Sequence, residues 1–140
     1  MFNPSRDEAR NFLFASWRKR RAREFLTPLE DLVAQLIEKH PEYHALLEDA
    51  EKYQQRDYLP EQGETNPFLH LMMHLTIEEQ LSIDQPRGIR AHFTRLSQQT
   101  GSEHDAQHLM MECLGEMLWQ AQRNNTQPDA AVYLECLRRQ

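Results

Sequence analysis

Apolar residues in this chain return every three or four positions and show no convincing alternation, which restricts it to helices. Leu29, Leu32, Val33, Leu36 and Ile37 repeat at helical spacing, as do Met110, Met111, Leu114, Met117 and Leu118. Helix-start signals divide the periodic stretches. Ser5 with Glu8, and Thr27-Pro28 with Glu30, have the spacing of a side-chain cap followed by an acid one turn on. Asn66-Pro67 and Ser102 open two further helices. Only 4 glycines occur in 140 residues, too few for a fold built on tight turns.

The expected fold is all-α, a compact bundle of about six to seven helices read from these periods and caps. It is expected to be one domain over residues 1–140. A basic N-terminal helix covers 5–24, and a second helix starts at Pro28 and is ended or restarted by Pro41. A short helix then holds Leu46, Leu47 and Ala50, and a polar loop follows near 53–65. The core, 66–124, begins with a helix from Pro67 to about Ile83. Asp84-Gln85-Pro86-Arg87-Gly88 is a turn, a shorter helix from Ile89 ends near Gly101, and a long one reaches Asn124. The closing helix occupies 129–139.

Charge and cysteine use narrow the function classes. The net charge is -6, but residues 1–24 carry +4 and the remainder -10. An acidic body argues against general adhesion to nucleic acid. The segment Arg18, Lys19, Arg20, Arg21, Ala22, Arg23, with Trp17 beside it, still has the composition to contact RNA phosphates or an acidic partner. The plainer explanation is a solvated helix end complementing the helix dipole. Cys113 and Cys136 lack CxxC spacing and are expected as reduced thiols, which with the absent signal peptide points to the cytoplasm. No apolar run is long enough for a membrane span.

The chemically specific feature is a pair of histidine ladders. His70, His74 and Glu78 stand at i, i+4, i+8 on one helix, and His104, His108, Glu112 and Glu116 repeat the spacing on another. Four residues advance a side chain about 6 Å along the axis and about 40° around it, so neighbouring rungs share a face. With 7 histidines in the chain, chance yields about a third of one such pair, against two in confident helices. Imidazole with carboxylate suits zinc, iron, manganese or nickel. The metal reading takes His70, His74, His104 and His108 as ligands, with Glu78 or Glu112 as a fifth ligand or base. In an up-down-up arrangement the two histidine pairs lie at similar height. The plainer alternative is histidines hydrogen-bonded to neighbouring acceptors. His40 and His44 straddle Pro41 and are not expected to share a helix turn.

No HExxH, Glu-x-x-His, Gly-rich phosphate loop or serine elbow is present, so no catalytic residue is assigned. The ladders resemble the HxxxH and HxxxE parts of hemerythrin-type metal-binding bundles, without their later His-x-x-x-x-Asp element. A fuller likeness lies in NPFLHLMMHLTIEEQLSIDQPRGI and HDAQHLMMECLGEMLWQAQRN. These resemble a family of short proteobacterial proteins known only as a domain of unknown function. The likeness covers mainly 66–124, with a looser match at Phe2-Asn3-Pro4-Ser5-Arg6. It implies a bacterial cytoplasmic protein and supplies no reaction.

Overall fold

The computed structural model describes residues 5–58 and 66–140. Among these residues the chain is all-α, with eight α-helices, one 3-10 turn and no strand. Two short helices that the sequence reading merged account for the difference from six or seven. The latter part of the expected 53–65 loop, 59–65, and residues 2–4 of the N-terminal likeness lie outside the described residues.

The chain divides into two compact units, Met1–Leu75 and Thr76–Gln140. The first unit begins with α1, Arg6–Ala22, whose cap Ser5 accepts from the Glu8 amide. The Glu8 carboxylate accepts from the Ser5 hydroxyl rather than reaching the Ser5 amide. Helix α2, Pro28–Glu38, has the full reciprocal cap: Thr27 Oγ1 accepts from Glu30 N, and Glu30 Oε1 accepts from Thr27 N at 2.9 Å. A 3-10 turn at Pro41–Tyr43 leads into α3, His44–Leu47, and α4, Ala50–Tyr53. Helix α5, Pro67–Ile83, starts where Asn66 Oδ1 accepts from the amides of Phe68 and Leu69. Leu13, Phe14, Trp17, Val33, Ile37, Leu71 and Leu75 form the first unit's core.

The Thr27–Glu30 cap supports a direct expectation. Thr27→Ala removes an acceptor from the first turn and should lower stability by about 1 kcal/mol in chemical denaturation. The Lys19 ammonium, bonded to Glu30 Oε2 at 2.7 Å, and the Thr27 amide hold the Glu30 carboxyl below its usual range. A depressed carboxyl stabilises the fold above its unfolded pKa, and that contribution disappears as pH falls through the folded value. Glu30→Gln should therefore flatten the acid side of the stability profile while leaving the neutral-to-alkaline slope alone.

In the second unit, α6, Ile89–Thr100, follows a turn in which Asp84 accepts from the amides of Gly88 and Arg90. Gly88 sits at φ +97°, a backbone position that costs a side chain energy. Helix α7 spans Glu103–Asn124 and α8 spans Ala130–Arg139. Ile89, Leu96, Met110, Leu114, Tyr133 and Leu137 are buried. Tyr133 donates to Gln80 Oε1 at 2.8 Å, and burial pushes its hydroxyl pKa up.

One sequence expectation is corrected here. Cys113 on α7 and Cys136 on α8 are not reduced thiols; they form a disulfide, with Cα atoms 5.5 Å apart. Antiparallel packing of the two helices brings together cysteines separated by 23 positions. The thiol argument for a reducing compartment therefore has no footing. No helix among the described residues is long and apolar enough to cross a membrane.

Candidate metal centre

Within the first unit, three imidazoles gather. His70 and His74 come from successive turns of α5, and their ring centroids are 4.9 Å apart. His40, immediately before the 3-10 turn, lies 5.0 Å from the His70 ring and 4.9 Å from the His74 ring. Tyr43 stacks on the outer face of His40 at 5.4 Å. His74 is wholly buried and His40 nearly so, while His70 is half-buried.

His40 Nδ1 lies 2.7 Å from the Leu36 carbonyl oxygen. A carbonyl only accepts, so Nδ1 carries the proton and Nε2 bears the ring's lone pair. A backbone acceptor that fixes tautomer and ring orientation is the usual support of a metal-ligating histidine.

The sequence reading did not include His40. It treated Pro41 as separating His40 from His44, and those two do part: His44 Nε2 donates to the Ile37 carbonyl and its ring packs on Trp17 at 4.5 Å. The signal for His40 was there in another form. It continues the buried stripe of Val33, Leu36 and Ile37 by one more turn.

Within the second unit, His104 and His108 stand on the first turns of α7 with ring centroids 4.3 Å apart, both half-buried. Glu78, on the later part of α5, accepts from Gln107 Nε2 at 2.6 Å. That bond occupies one carboxylate oxygen and steadies the side chain. Glu112 is exposed, whereas Glu116 is half-buried and accepts from Gln120 at 2.8 Å. The roughly 40° rotation per rung has by the third rung carried Glu112 opposite the buried stripe of Ala106, Met110 and Leu114.

The basic segment has intramolecular partners. Arg18 pairs with Glu24, Lys19 with Glu30, Arg20 with Asp31 and Glu38, and Arg21 with Glu48. Arg23 forms the left-handed end of α1, its amide bonded to helix carbonyls. These acids offset the positive charge that phosphate binding through the segment would use.

Neither a curated protein nor a solved structure gives a match to this chain. The profile of one family matches residues 5–139, a far longer stretch than the 66–124 core that suggested a likeness. On that match, the chain belongs to the family described as a domain of unknown function, DUF1841.

Proposed function

We propose that this protein binds a transition metal ion through histidines, with His40, His70 and His74 of the first unit as ligands. The single observation that carries this reading is the trio of His40, His70 and His74 around one buried point of the first unit. Burying several imidazoles together costs desolvation, and an ion bonded to their nitrogens offsets it.

This assignment adds His40 to the His70 and His74 pair. A set of imidazoles without exposed acids suits borderline ions such as zinc or nickel and disfavours magnesium or calcium. Catalysis by such an ion, as a Lewis acid or by activating water, requires an open coordination position.

Elemental analysis of untagged protein tests the reading. The expected result is about one transition metal per chain, with melting lowered by a chelator and restored by adding back the ion. Metal-free protein whose melting ignores added zinc, nickel and cobalt would contradict it.

A further inference from the structure

A second candidate site lies in the first unit, on the side chains of α1 and the start of α5. It is a cavity of about 290 Å³ lined by Arg6, Arg10, Asp57, Tyr58, Phe68 and Leu69, among others. That volume is at the small end of ligand pockets and suits roughly ten to fifteen non-hydrogen atoms.

Arg10 sets its chemistry. The side chain is 3% exposed, an uncommon place for a guanidinium. Its Nη1 donates to the carbonyls of Tyr53, Gln54 and Arg56 at 3.4, 2.9 and 2.8 Å. Its Cζ lies 4.4 Å from the Phe68 ring centroid. Among the described residues, the hydrogen bonds recorded for Arg10 all run through Nη1, and no carboxylate pairs with it. A guanidinium has five N–H donors, so the Nε and Nη2 edge remains a two-pronged donor suited to a carboxylate. Arg6 is bonded to Asp57 at 2.7 Å, so among the described residues the lining carries one formal net positive charge. Burial, followed by the Arg6 charge, lowers the Arg10 pKa, as expected of a cation lacking a close counter-ion.

Beside Tyr58 and Asn66 the lining is apolar, from Ala9, Phe68, Leu69 and Met72, with Phe68 buried and Leu69 55% exposed. One cation beside an apolar wall selects a ligand with one negative end and a hydrocarbon body.

We propose that this cavity binds a small amphipathic monocarboxylate, its carboxylate on Arg10 and its apolar body against Phe68 and Leu69. The site is separate from the histidine ligands and does not depend on the metal reading.

Octanoate is the probe, titrated by calorimetry into the full chain, with 1-octanol as its uncharged counterpart. Saturable one-to-one binding of octanoate, at least tenfold tighter than octanol, is expected. Ala9→Phe, which fills the cavity from the α1 wall, should abolish binding with the melting temperature unchanged. Arg10→Met should weaken octanoate at least tenfold and leave octanol alone; should that variant not fold, the octanoate-to-octanol ratio reads the charge preference by itself. No saturable octanoate binding, equal affinity for the alcohol, or full binding by Ala9→Phe would overturn the proposal.

Discussion

Replacing His70 and His74 together with alanine should remove the metal, weakening binding by on the order of 100-fold or more, because each ligand lost takes one metal bond. The readout is metal per chain after equilibration with limiting zinc, and the melting shift on adding it. His74 is wholly buried, so truncation also leaves a cavity and destabilises the fold by itself. His70→Ala alone provides the cleaner test, since that ring is half-buried. His44→Ala is the matched control: His44 is bonded to the Ile37 carbonyl and packed on Trp17, away from the proposed ligand set, and should retain full stoichiometry. If His44→Ala and His70→Ala behave alike, the ligand assignment is wrong.

The second large effect concerns the disulfide. Opening the Cys113–Cys136 link frees a loop of 23 residue steps in the unfolded chain. Chain-entropy reasoning gives about 3.5 kcal/mol for a loop of that length. The pair Cys113→Ser with Cys136→Ser, or reduction of the native protein, should therefore lower melting by on the order of 10 °C. Cys113 is fully buried, so serine there also places a hydroxyl in the core. Reductant on the native chain separates the two contributions, because it restores thiols without changing polarity as much. Unchanged melting in reductant, with free thiols confirmed by titration, would show that the link contributes nothing.

The sequence carried most of the helix boundaries because each is marked by local chemistry. Helix α5 begins at Pro67 and ends at Ile83 as read, since Asn66 caps it and the Asp84–Gly88 turn stops it. Helix α8 was similarly marked by Asp129 and its final basic residues. The short helices α3 and α4 were not separated, because four-residue turns leave no full period in the apolar pattern.

The candidate site was half visible. Rungs four apart on one helix are a local property, so the closeness of His70 to His74 and of His104 to His108 follows from spacing. His40 comes from a different element, and its approach to the α5 pair depends on how α2 packs, which spacing does not encode. The disulfide was hidden for the same reason: two cysteines without a motif say nothing about whether their helices meet. The basic segment shows the converse case. Its charge was plain in the sequence, but the acids that pair with it lie on α2 and beyond, at Glu30, Asp31, Glu38 and Glu48.

X-ray absorption at the metal edge of zinc-loaded, untagged protein tests the histidine centre most directly. The account predicts a shell of several imidazole nitrogens at roughly 2.0–2.1 Å, reduced in His70→Ala. A shell made of water or carboxylate oxygens, unchanged in that variant, would contradict it.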